Sequence, residues 1–179
     1  MQTEDEDFLG RPKPSRPYRP TALRLAVPTA AVIETLALLQ KAGRRESGVF
    51  WYGLRDAAGN GEVTSVAAPR QNMRPLNFHV TPEAMGQLVF NLKDGLKPLA
   101  QIHSHPGHGV EHSRYDDKMM NNPRVLSIVF PRYGHLSGTF PAGCGVHQWQ
   151  MDYWHLLGSE DAARRVVLTD GRVDVADYR

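Results

Sequence analysis

The sequence predicts a mixed α/β domain, a β-sheet with flanking helices in which strands outnumber helices. Short β-rich apolar runs such as Val49-Phe50-Trp51-Tyr52 recur between turn residues. Two other segments space their apolar residues at the helical period, between recognisable start and stop signals. The two kinds of segment mix without the strict strand–helix–strand rhythm of a doubly wound parallel sheet. At 179 residues, 41% of them hydrophobic, the chain suits one such domain, which buries roughly 70% of the surface its unfolded form exposes.

Residues 1–20 read as a flexible tail. Glu4, Asp5, Glu6 and Asp7 are followed by Pro12, Pro14, Pro17 and Pro20, interleaved with Arg11, Lys13, Arg16 and Arg19. Too little of this can be buried to offset the entropy of ordering it. The domain proper is then 21–179. Residues 23–27 form a strand, and Pro28-Thr29 opens a helix that carries Val32, Ile33, Leu36 and Leu39 on one face and ends at Gly43. Strands follow at 49–52 and 63–68, joined by the turn Ala58-Gly59-Asn60-Gly61. Residues 70–80, with Pro75 and no clear period, read as a loop. Thr81-Pro82-Glu83 starts a second helix, with Met85, Leu88, Val89 and Leu92 as its stripe and Gly95 at its end. Strands at 99–104, 125–130 and 146–151 and a short helix at 113–120 complete the centre. Near the end, Asp170-Gly171 between two valine-rich runs predicts a hairpin.

Composition excludes several function classes. A net charge of +2 argues against a nucleic-acid binder, and no apolar run approaches the ~18 residues a membrane helix needs. The first residues are acidic where a signal peptide is basic, so the chain is expected in the cytoplasm. One cysteine, Cys144, excludes a disulfide framework and a cysteine-based zinc knuckle. The histidines are uneven: four of the eight lie between His103 and His112.

Within that cluster, His103-Ser104-His105 has a metal-binding geometry. Alternate side chains on a strand share a face about 6.6 Å apart, so two imidazoles can converge on one cation. Catalytic zinc takes three protein ligands and keeps a fourth position open. Without a nearby cysteine, the third ligand is another histidine or a carboxylate. Asp116, in Ser113-Arg114-Tyr115-Asp116, is the candidate, although Ser-x-x-Asp also reads as a helix-capping box. Spacing alone leaves Asp117 open as well. His108 and His112 sit in a glycine-rich stretch that positions side chains poorly, whereas His79, His135, His147 and His155 read as packing or surface residues. Cys144 and His147 suggest a nucleophile pair, but Gly143-Cys144-Gly145 reads better as a tight strand entry.

Taken whole, the string resembles the signature of the JAMM metalloproteases (the JAB or MPN+ family). His103-Ser104-His105-Pro106, ten intervening residues from His105 to Asp116, and Ser113 three before Asp116 match it. An upstream Glu46-Ser47-Gly48, following a helix and leading into a strand, matches the family's glutamate. The resemblance covers 21–151 and implies a cytidine-deaminase-like JAB/MPN fold, a curved mixed β-sheet flanked by helices. It further implies one zinc ion per chain held by His103, His105 and Asp116, with a water in the fourth position. Glu46 would be the general base and Ser113 the oxyanion donor. The implied substrate is a ubiquitin-like protein or its conjugates, cut by isopeptidase action or precursor processing. Ubiquitin-activating and ubiquitin-conjugating-like enzymes of the same pathway are implied partners. Non-catalytic scaffold members and the trimming of a sulfur-carrier protein are the alternatives. Two departures stand out: His112 replaces the proline that many members carry before the motif serine, and only seven residues separate Asp117 from Val125, leaving little room for a second substrate-gripping insertion.

Overall fold

The computed structural model describes residues 11–120 and 122–179. Residues 1–10, half of the segment read as a tail, lie outside the described residues. The chain forms β1 (Leu25–Pro28), α1 (Thr29–Lys41), β2 (Gly48–Arg55), β3 (Gly61–Ala68), β4 (Asn72–Met73), β5 (Phe78–His79), α2 (Pro82–Phe90) and β6 (Lys97–Ser104). It continues through α3 (Arg114–Met119), β7 (Leu126–Phe130), β8 (Gly145–Gln150), β9 (Tyr153–Leu156), α4 (Ser159–Arg165), β10 (Val166–Thr169) and β11 (Asp174–Asp177). Nine strands make one mixed sheet in the order β10-β1-β3-β2-β6-β7-β8-β9, with β11 also on β3, and β4 pairs with β5 apart from it. This is the mixed α/β architecture expected, a sheet flanked by helices.

The alternation of β2 shows how the two faces are covered. Val49 and Trp51 point into the main core with Val32, Leu39, Ile102 and Ile128, whereas Tyr52 joins a second cluster with Ala67 and Leu88. Thus α1 packs on one face and α2 on the other, as period-two side-chain placement requires. Trp51 anchors the α1 face: its indole Nε1–H donates to Thr35 Oγ1 at 2.8 Å, both residues being fully buried. Thr81 caps α2 by accepting from Ala84 N–H, the start signal read in the sequence.

Several elements differ from the sequence expectation. The runs around Asp170-Gly171 do not form a hairpin. Instead β10 pairs parallel with β1, and β11 pairs parallel with β3, so both run in the same direction. The sheet offers two open edges there, and pairing with them buries more than a lone two-stranded ribbon. Residues 70–80 contain the small β4–β5 ladder, with Asn72 opposite His79 and Met73 opposite Phe78. Neither β9 nor α4 is anticipated. The turn from β8 to β9 uses Met151 and Asp152 at positive φ (50° and 57°), a tight-hairpin conformation without the usual glycine or asparagine signal.

Residues 11–20 form neither helix nor strand, yet they lie along the β8–β9 hairpin and the start of α4. Tyr18 Oη donates to Asp161 at 2.6 Å and accepts from Gly158 N–H at 2.9 Å. Arg19 and Gln150 exchange two hydrogen bonds of 2.8 Å, and Tyr153 Oη donates to Pro12 O at 2.9 Å. Side-chain and backbone polar contacts hold this strap in place of a hydrophobic stripe. Among the described residues, no helix is long and apolar enough to cross a membrane.

Thr35→Val preserves shape but leaves the buried Trp51 N–H without an acceptor, which costs about 1–3 kcal/mol. Chemical denaturation should show that loss, with Thr35→Ser nearer the wild type.

Candidate metal centre

The site is built at the carboxyl end of β6. That strand pairs antiparallel with β2, with Gly48 opposite His103, and parallel with β7, with His103 opposite Val129 and Ser104 opposite Phe130. His105 lies just past the strand and is held by its backbone: its N–H donates to Phe130 O, and its carbonyl accepts from Tyr133 N–H, both at 2.8 Å. After the 105–112 loop, Ser113 caps α3. Its Oγ accepts from Asp116 N–H at 3.1 Å, while Ser113 N–H and Oγ–H both donate to Asp116 Oδ2, at 2.6 and 2.8 Å. The capping box read in the sequence therefore exists and fixes the Asp116 carboxylate.

His103, His105 and Asp116 converge, with one ligand atom from each lying within 4.8 Å of the others. The two Nε2 atoms are 3.1 Å apart, and Asp116 places Oδ1 3.3 Å from His103 Nε2 and Oδ2 3.3 Å from His105 Nε2. The donor chemistry fits a cation. Gly109 O can only accept, so the 3.1 Å contact to His105 Nδ1 places the proton there and leaves the Nε2 lone pair facing the cluster. Two imidazole nitrogens and a carboxylate oxygen form a set that suits zinc.

Electrostatics follow from burial and proximity. Burial acts to raise Asp116, but the adjacent His103 and His105 hold it well below the usual carboxylate range. Burial lowers His105, yet the hydrogen bond and charge of Asp116, with Glu46 adding, bring it net above its ordinary value. Glu46 is 5% exposed. Burial pushes its carboxyl up to about 8, opposed by His105 and reinforced by Asp116. Its backbone N–H donates to Arg74 O at 2.7 Å, which ties it to the turn between β4 and β5. Next to it, Gly48 is required by a close approach: a Cβ there would sit 2.3 Å from the Phe78 ring, which stands 5.9 Å from the His103 ring.

The structure thus places Glu46, His103, His105, Ser113 and Asp116 together. It separates the remaining candidates. Asp117 turns away and binds Arg11 Nε (2.7 Å) and His112 Nδ1 (2.9 Å). His108 is exposed, as are His79 and His135. His112, at the end of the loop, is not poorly positioned: it is 4% exposed and stacked on His147 with ring centroids 3.9 Å apart. Burial lowers both rings well below the ordinary histidine value. Cys144 makes no nucleophile pair: His147 Nε2 instead accepts from His112 N–H at 3.3 Å, and burial pushes the thiol up to about 12. Sequence reasoning missed the group that His112 forms with Asp117, Ser127, His147 and Arg11, because its members come from four separate stretches of chain.

Comparison with known proteins agrees with this architecture. The Prok-JAB family, described as prokaryotic homologs of the JAB domain, matches residues 28–149. No curated protein matches significantly. Among solved structures, a protein of Desulfitobacterium hafniense is similar with a TM-score of 0.64 at 18% identity, over 83% of this chain and 94% of that one. A protein of Salinibacter ruber is similar with a TM-score of 0.54 at 15% identity, over 74% of this chain and 88% of the other. At these identities the likeness is one of fold. The matched span runs from the end of β1 into β8 and includes Glu46, His103, His105, Ser113 and Asp116, and by that match the chain belongs to the prokaryotic homologs of the JAB domain.

Proposed function

We propose that this chain is a zinc-dependent isopeptidase that hydrolyses the bond after the carboxyl terminus of a ubiquitin-like modifier, in deconjugation or precursor processing. The observation that carries this reading is the convergence of His103, His105 and Asp116 with a buried Glu46 beside them. Zinc held by the three ligands would polarise the scissile carbonyl and lower the pKa of water to about 7.

The chain's own residues then do the following. Glu46, a carboxylate poised near neutrality, accepts a proton from the attacking water and returns it to the departing amine as the C–N bond breaks. Ionisation of Glu46 is favoured by a cation at the cluster, which counters the cost of its burial. Ser113 Oγ–H, which donates to Asp116, turns to the oxyanion as charge develops there, a contact worth about 3 kcal/mol in comparable sites. His105, the most exposed of the three ligands with 14% of its side chain accessible, marks where substrate enters.

Two features support an extended polypeptide substrate. An apolar groove of about 370 Å³ runs between α2 and the sheet, lined by Phe50, Tyr52, Met85, Val89 and Leu92, and it reaches Phe78 beside His103. The β4–β5 hairpin, joined to Glu46 through Arg74, is a two-stranded ladder to which the modifier's tail would add as a further strand. Near the hairpin turn, Phe78 is buried against Gly48 whereas Leu76 is 55% exposed, so Leu76 is placed to touch substrate. A single, partly buried thiol suits a reducing, cytoplasmic setting, with ubiquitin-activating and ubiquitin-conjugating-like enzymes as partners.

Elemental analysis should find about one zinc per chain, lost in His103→Ala and Asp116→Ala. Glu46→Gln should keep the zinc while kcat on a ubiquitin-like fusion or lysine conjugate falls about 10²–10⁴-fold; full turnover in that variant rejects Glu46 as the base. Chelator should abolish hydrolysis, whereas iodoacetamide should react slowly with Cys144 and leave activity intact, since a thiol raised to about 12 supplies little thiolate at neutral pH. Leu76→Asp should raise KM; unchanged kinetics argue against tail binding at the hairpin.

A further inference from the structure

The α3 helix that carries Asp116 has six residues, too few to hold its own orientation. Its capping box fixes Asp116 relative to Ser113 but does not fix the helix relative to β6, where His103 stands. That second constraint comes from the residues on either side of the cap. His112 precedes Ser113, and Asp117 follows Asp116. Asp117 Oδ1 and His112 Nδ1 are 2.9 Å apart, so the pair closes a ring of contacts around the cap.

The ring is anchored to the sheet. A carboxylate only accepts, so His112 Nδ1 carries the proton and Nε2 accepts from Ser127 Oγ–H on β7 at 2.7 Å. His112 N–H donates to His147 Nε2 on β8, and the two rings stack. On its other oxygen, Asp117 accepts from Arg11 Nε at 2.7 Å, and Arg11 Nη2 donates to Trp154 O at 2.7 Å. The guanidinium also lies 4.3 Å from the Tyr153 ring centroid. Only 8% of the Arg11 side chain is exposed. It is a buried cation facing a partly buried carboxylate, supplied by the strap that precedes the domain.

We infer that Arg11, acting through Asp117 and His112, is a positioning residue for the metal centre: the N-terminal strap locks α3 onto β7, β8 and β9 and so holds Asp116 at ligating distance from His103 and His105. The inference rests on the metal reading proposed above. Removing Arg11 leaves the Asp117 charge uncompensated and loosens its hold on His112. Asp116 then gains freedom although no ligand has changed. Outer-shell partners of metal ligands typically govern affinity about 10–100-fold.

The test uses the full chain. Zinc affinity is measured by competition with a chromophoric chelator, and the ligand field is read from the visible spectrum of the cobalt-substituted protein. Circular dichroism at the same temperature reports folding. Arg11→Ala and Asp117→Asn should each weaken zinc about 10–100-fold and alter the cobalt bands, with added guanidinium restoring the Arg11→Ala protein. Tyr18→Phe removes a different anchor of the same strap and should leave affinity and spectrum unchanged. If Arg11→Ala does not fold, Asp117→Asn, which keeps the side-chain shape, decides alone. Wild-type affinity and bands in the Asp117→Asn protein, or in a folded Arg11→Ala protein, overturn the positioning role. An equal loss in Tyr18→Phe overturns it too, since the strap would then act through stability alone. A wild-type chain that binds no zinc overturns the metal reading itself, and this inference with it.

Discussion

The pairing of β2 with β6 is the constraint on which the rest of the site depends. Gly48 lies opposite His103, so the chain just before β2 and the chain just after β6 leave the sheet at one corner. Glu46 and His105 lie there, close enough for their charges to interact, and Ser47 and Ser104 cross-link the corner through backbone N–H groups of both residues. A slip of one residue would turn every β6 side chain to the opposite face and separate the imidazoles from Glu46. Because β6 and β7 are parallel, a crossover must connect them, and α3 is that crossover. The third ligand is therefore carried by the segment that topology requires above the strand ends.

Concentrating polar groups at such a corner opposes stability unless each is satisfied. Glu46, His103, His112, Asp116 and His147 are all buried. The fold meets most of the cost with hydrogen bonds: Asp116 Oδ2 alone accepts from Ser113 N–H and Oγ–H, and His112 has partners at both ring nitrogens. Glu46 differs. Among the described residues no donor reaches its carboxylate, which is why burial dominates its shifted titration. An under-satisfied carboxyl is costly for folding but well suited to proton transfer, and it stands beside three groups that favour a cation.

Local sequence signals were legible wherever the physics is local. The Thr81-Pro82 cap, the Ser113 and Asp116 box, and the β-rich run at 49–52 each reflect interactions within a few residues, and each is present. The Asp170-Gly171 turn signal was equally local, yet it lost to pairing with β1 and β3. For β9, the tight turn at Met151 and Asp152 carries no glycine signal, since the aromatic pairing of Trp149 with Trp154 across the ladder holds it. Residues 11–20 looked like tail because they have no apolar period, but what holds them is a set of polar contacts to residues more than 100 positions away.

By itself the sequence determined the chemistry on offer: a His-x-His at a strand end, a carboxylate in a capping box, an upstream glutamate and a single cysteine. These are statements about residue type and short spacing, and short spacing is fixed by backbone geometry. Only the tertiary structure decided which of two adjacent carboxylates faces the imidazoles. Asp116 and Asp117 are consecutive on a helix, so their side chains leave about 100° apart, and rotation about the helix axis selects between them. That rotation is set by His112 and Arg11, which bind Asp117 directly, and by Ser127, which bonds the His112 ring from β7. Contacts of that kind depend on the path of the whole backbone and leave no periodicity to read.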